Sequence, residues 1–170
     1  MRNLVLLAAA ATLVASATTA DARQLGEIPS AFTIAKSSNK NQVSYAIAVN
    51  DACAPAGAAP VHPYWRMLER SADATEPLTS TEQRAFGVAS QETSGDDVRF
   101  FVRGLQNRPI TVHTYRTNDG HCEAASSMPI AGTEARVSSV FVKLSLFGVS
   151  YVQLTGVAPS GAVVTERVSP

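Results

Sequence analysis

Alternation with a period of two runs through most of this chain, and it limits the fold more than any other feature. Val43, Tyr45, Ile47 and Val49 alternate with Ser44, Ala46 and Ala48. Val98, Phe100 and Val102 alternate with Arg99, Phe101 and Arg103, and Ile110 and Val112 with Thr111 and His113. Val140, Val142, Leu144 and Leu146 alternate with Phe141, Lys143 and Ser145. Successive side chains of a strand point to opposite faces, so each run reads as a strand with one buried face. Val outnumbers Leu by about two to one beyond the first 22 residues. Branching at Cβ restricts χ1 in a helix and suits a pleated surface, which favours sheet again.

Turn chemistry separates the runs. Ser38-Asn39-Lys40-Asn41, Ser94-Gly95-Asp96, Gln106-Asn107-Arg108-Pro109, Asn118-Asp119-Gly120 and Pro159-Ser160-Gly161 stand at hairpin-like intervals. Strands are expected near 31–37, 42–50, 61–69, 85–92, 98–105, 110–117, 122–130, 134–147, 150–157 and 162–168. One helical signal interrupts them. Thr79-Ser80-Thr81-Glu82 matches a capping box, predicting a short helix near 79–84. The expected fold is all-β, an antiparallel barrel or a two-sheet sandwich of about 9–10 short strands, in meander order.

The start of the chain reads as an address. Met1-Arg2-Asn3 is short and basic, residues 4–14 are apolar, and Ala20 and Ala22 frame a cleavage site. Residues 1–22 are therefore expected to be a removed signal peptide, with residues 23–170 forming one β-rich domain. The expected location is periplasmic or secreted, with no membrane span after processing. The linker-like segment 52–60 (ACAPAGAAP) is too short to divide domains.

Cys53 and Cys122 are the only cysteines, and an exported chain meets an oxidising compartment. A structural disulfide is expected, the alternatives being free thiols or a redox role. No C-x-x-C supports redox chemistry. The order Cys53, Trp65, Cys122 mimics an immunoglobulin pattern, but Gly120 stands where a corner Tyr belongs.

Net charge is balanced, 14 Lys+Arg against 14 Asp+Glu, so no bulk field favours a nucleic acid. No cofactor motif is present, and no metal spacing links His62, His113 and His121. No G-x-S-x-G occurs, and the one Ser-x-x-Lys, Ser37-Ser38-Asn39-Lys40, falls in a turn signal, so no catalytic residue is assigned. The segment around Tyr64, Trp65 and Arg66 gathers the single Trp with a Tyr and an Arg. Alternation puts Trp65 on one face, as a core anchor or a cavity wall, and Tyr64 and Arg66 on the other. Arg99, Phe101 and Arg103 share a face, with Arg84 nearby in sequence. Arginine interleaved with aromatics can hold an anionic or planar ligand, although it also makes ordinary solvated strand faces.

Four segments in order resemble a family. They are Ser37-Ser38-Asn39-Lys40-Asn41-Gln42-Val43-Ser44-Tyr45, Pro63-Tyr64-Trp65-Arg66-Met67, residues 78–87 (LTSTEQRAFG), and Tyr151-Val152-Gln153-Leu154-Thr155-Gly156. Together they resemble a bacterial secreted family, domain of unknown function 4833, over roughly residues 31–168. The resemblance implies a compact exported β-rich domain and brings no catalytic residues. The cysteine pair is not part of that pattern.

The expected function is that of an exported, non-enzymatic binding or interaction domain of the bacterial envelope. Its site would be Tyr64, Trp65, Arg66, Arg84, Arg99 and Arg103, and its partner a small anionic or aromatic ligand or an envelope protein. The alternatives are a small envelope hydrolase using His121, Asp119 and Glu123, or a purely structural envelope protein.

Overall fold

The computed structural model describes residues 26–72, 74–105, 108–146 and 148–169. The expected signal peptide and the turn signal at Gln106-Asn107 lie outside the described residues. Eleven strands form: β1 Gly26–Lys36, β2 Gln42–Val49, β3 Val61–Arg66, β4 Thr75–Pro77, β5 Val88–Ser94 and β6 Asp97–Val102. They continue as β7 Ile110–Arg116, β8 Cys122–Ile130, β9 Thr133–Ser145, β10 Gly148–Val157 and β11 Val163–Val168. One helix, α1 Ser80–Phe86, and a 3-10 turn, Arg103–Leu105, complete the elements among the described residues.

The alternation seen in sequence becomes burial in space. Val98, Phe100 and Val102 are buried while Arg99 is exposed. Strands β1–β4 form one antiparallel meander and β5–β9 another, extended by β10 and β11. Strand β9 joins them. Its first residues pair with β8 (Ser127↔Arg136) and its later ones with β1 (Ala35↔Phe141, Lys36↔Val142). Strand β10 pairs along its opposite side, so β1 and β8 diverge from one edge of β9. The sheet thus forks and folds over itself as a sandwich. It does not close, which removes the barrel alternative. Phe32 of β1, Tyr45 of β2 and Phe100 of β6 meet in the core, with ring centroids 5.3–6.1 Å apart.

Several boundaries differ from expectation for physical reasons. The β1–β9 pairing is parallel, a non-local contact that hairpin spacing cannot reveal. The strand expected from residue 85 starts at Val88, because the capping box drives a helix that runs to Phe86. Thr79 N–H donates to Glu82 Oε2 at 2.8 Å, and Glu82 N–H donates to Thr79 Oγ1 at 3.3 Å. The strand expected to reach residue 105 stops at Val102, where the 3-10 turn begins. The strand expected to reach residue 69 ends at Arg66, and Met67 O then accepts from Arg70 N–H at 2.8 Å. Strand β1 starts earlier than expected, at Gly26, and is irregular between Ile28 and Phe32. Strand β4 is too short to show a period.

A charged clamp fixes the second layer to its last strand. Arg108 donates to both carboxylate oxygens of Glu166, at 2.9 and 2.5 Å, and to Pro129 O at 3.0 Å. Ala131 N–H donates to Glu166 Oε2 at 2.6 Å. These bonds, Arg108's first and Ala131's next, outweigh partial burial and hold the Glu166 carboxyl below its usual range. A depressed folded pKa gives stability that is present above the unfolded value and lost as pH falls through the folded one. Arg108→Ala is expected to cost roughly 1.5–3 kcal/mol at pH 7. The wild-type advantage should shrink below about pH 4, the unfolded carboxyl range. Urea unfolding of both proteins at pH 7 and pH 3 checks this, and an equal gap at both pH values would contradict it.

Candidate functional site

An apolar cleft of about 260 Å³ opens between the layers at the end covered by α1 and the 3-10 turn. Its floor is core: Ile34 of β1, Val102 of β6, and Val140 and Val142 of β9. Leu144, Val149, Val152 and Val168 form the wall on the β9–β11 side. Ala85 and Phe86 of α1, with Gly104 and Leu105 of the 3-10 turn, form the facing wall. Ser169 brings the one hydroxyl of the lining.

Close backbone packing holds the helical wall in place. A Cβ at Gly104 would stand 2.8 Å from Ala85 O, so the two turns meet at a contact only glycine permits. Arg103 N–H donates to Gly87 O at 2.9 Å, tying the 3-10 turn to the end of α1. Tyr45, buried in the core, donates its hydroxyl to Phe86 O at 2.7 Å, anchoring the helix from below. Burial with little room for charge pushes the Tyr45 phenol far above its ordinary pKa, so it remains a donor.

Trp65 lies behind this wall. It is 5% exposed, and its ring meets Phe86 edge-on at 5.9 Å. Lys36 Nζ stands 4.1 Å from its centroid. Burial alone would raise the Glu82 carboxyl. Hydrogen bonds from Thr79 and from the Trp65 indole, together with the Lys36 charge, reverse this and hold it low.

The six residues singled out in the sequence do not form one site. Trp65 faces inward, whereas Tyr64 donates to Pro29 O at 2.5 Å and Arg66 reaches Ser30 Oγ at 3.5 Å on the other face of β3. Arg99 lies on the outer face of β6, 5.7 Å from the Phe101 centroid. Arg103 departs from that face because the strand ends at Val102. It begins the 3-10 turn, next in sequence to the lining residue Gly104, and Arg84 precedes the lining residue Ala85 on α1; neither arginine itself lines the cleft. Both arginines are exposed, and neither side chain has a hydrogen-bond or ion-pair partner among the described residues. The sequence reading thus named the chain neighbours of lining residues, Arg84 and Arg103, and Trp65 one layer back, but no lining residue. It missed the cleft itself, whose lining residues look like ordinary core.

The remaining candidates are surface groups. His121 and Asp119 lie 3.9 Å apart with side chains 81% and 71% exposed, and Glu123 accepts from the Tyr115 hydroxyl. His113 Nδ1 stands 2.8 Å from Asp97 Oδ1 on an exposed sheet face. Among the described residues no three His, Cys, Asp or Glu side chains gather around one point as a metal site would need. Cys53 and Cys122 are bonded, with Cα atoms 5.3 Å apart. No helix among the described residues is long and apolar enough to cross a membrane.

No curated protein and no solved structure matches the chain. A family model does, over residues 32–167, in agreement with the extent suggested by the sequence motifs. On that match the chain belongs to the family described as domain of unknown function DUF4833.

Proposed function

We propose that this protein is an exported, non-enzymatic binding domain of the bacterial envelope that holds an apolar ligand in the cleft beneath α1. One observation carries the reading: a concave, almost wholly apolar opening that continues the core out to solvent. Binding sites of this kind draw their energy from removing apolar surface from water. The exposed and dispersed positions of His121, Asp119, His113 and Asp97 give the hydrolase alternative no comparable support. Export is supported by the form of residues 1–22 and, more weakly, by the disulfide.

The test uses N-phenyl-1-naphthylamine, a neutral apolar fluorophore. Its emission should rise with the wild-type protein, and emission from Trp65, one contact away through Phe86, should change in parallel. Ala85→Phe, at an exposed lining position, should weaken binding at least tenfold with little change in the unfolding midpoint. A probe that fails to bind, or binds the variant equally well, rejects the cleft as the site. Conversion of an ester analogue, abolished by His121→Ala, would instead establish the hydrolase reading.

A further inference from the structure

Resting on that reading, we infer that the cleft takes the unbranched chain of an anionic single-chain amphiphile, with its headgroup held outside by Arg84 and Arg103. Three observations lead there. The first is the lining, which offers one hydroxyl and no charged side chain, so the enclosed part of the ligand is hydrocarbon. A polar scaffold placed there would lose its water without gaining partners. An apolar cavity of about 150 Å³ holds benzene, so by proportion 260 Å³ accommodates roughly ten carbons.

The second observation is shape. Val140 and Val142 are 2% and 6% exposed, Leu144 is half-buried, and Leu146 is 98% exposed. Alternation puts Val140, Val142 and Leu144 on one face of β9, so they form a single apolar row leading outward from the core, and Leu146 follows in the turn beyond the strand. At about 3.3 Å per residue the row from Val140 to Leu144 is roughly 13 Å long. Val149, paired with Leu144 across the hairpin, is itself 43% exposed and lines the cleft. A narrow row of that length matches an extended alkyl chain better than a compact ring system.

The third observation is charge. The two elements that supply the helical wall also carry Arg84 and Arg103, each next in sequence to a lining residue, both exposed and without side-chain partners among the described residues. Its acid, Glu82, is already engaged by Thr79. Two unneutralised guanidinium groups on the elements that wall an apolar opening favour a carboxylate or a phosphate through charge-assisted, forked hydrogen bonds.

The experiment displaces N-phenyl-1-naphthylamine from the full-length processed protein with decanoate, decanol and 2-naphthoate, then with a decanoyl lysophospholipid. Decanoate should bind at least tenfold more tightly than decanol, which shares its chain, and than 2-naphthoate, which shares its charge. Shortening the acid to hexanoate should weaken it about fourfold per methylene removed. In Arg84→Glu/Arg103→Glu the advantage over decanol should vanish while the naphthylamine still binds. Equal binding of decanoate and decanol by the wild type would overturn the headgroup assignment, and a preference for 2-naphthoate would overturn the chain. Failure of the naphthylamine itself would instead remove the underlying cleft reading. Among successful outcomes, tighter binding of the lysophospholipid identifies a phosphate-bearing lipid and tighter binding of decanoate a free fatty acid.

Discussion

Phe100→Ala is expected to lower stability by roughly 3–5 kcal/mol, the range for removing a buried aromatic ring. Phe100 is fully buried and stands 6.1 Å from Phe32 and 5.7 Å from Tyr45, ring to ring. It comes from the β5–β9 meander and the other two from β1 and β2, so the loss falls on the contact between layers. The flanking strands are fixed by their own hydrogen-bonded ladders and cannot readily collapse into the gap, which places the cost toward the upper part of the range. A domain stable by about 5–15 kcal/mol would lose a large share of its margin. Urea unfolding should show a lower midpoint with little change in slope. A loss below about 1 kcal/mol would mean that the layers repack and that this trio does not hold them together.

The second large effect is expected from Cys53→Ala/Cys122→Ala. The bridge spans 69 residues of chain and fastens the loop after β2 to the first residue of β8. A loop of that length stabilises by about 4 kcal/mol through the lost freedom of the unfolded chain. For a domain of about 150 residues this corresponds to roughly 8–16 °C in Tm. The loop is also held by Asn50 Oδ1, which accepts from Ala52 and Ala54 N–H, and by Arg116, which donates to Asp51 O. The double variant should therefore still fold, with its loss visible in thermal unfolding. Reduction of the wild type should reproduce the shift, and a change of less than 2–3 °C in both would contradict the entropic account.

What the sequence showed depended on how local each feature is. The alternation around Phe100, the turn signals at Ser38, Gly95, Asn118 and Pro159, and the Thr79–Glu82 capping box are set by neighbours in the chain, and the structure has strands, turns and a helix there. The cysteine pairing followed from two cysteines and an expected compartment. Strand β4 was lost because three residues show no period. The β1–β9 pairing was lost because nothing in Ala35 or Phe141 names a partner more than a hundred residues away. The cleft was hidden for a related reason. Val102, Val142 and Leu144 have the pattern of any core face, and only the arrangement of α1 and the 3-10 turn leaves the space beside them unfilled. Arg84 and Arg103 stood out because charge is visible in sequence. Their separation from Tyr64, Arg66 and Arg99 became visible only when Arg103 proved to lie beyond the strand end.

The fork at β9 also has a consequence for timing. Strands β1 to β4 can pair with one another as soon as they are made, but their inner faces gain their cover only from strands that come later. The parallel contact between Ala35 and Phe141 must await most of the chain. Contacts so distant in sequence carry a large closure entropy and slow the search for the native state. During synthesis the first meander is therefore a half-sandwich with Ile34, Val43 and Tyr45 uncovered, a species prone to wrong partners. Completion comes when β9 arrives, because that single strand supplies an edge to β8, β1 and β10 together. A lesion that weakens β9 should thus slow assembly of the whole domain, whereas one in β11 should act mainly on how long the finished domain lasts.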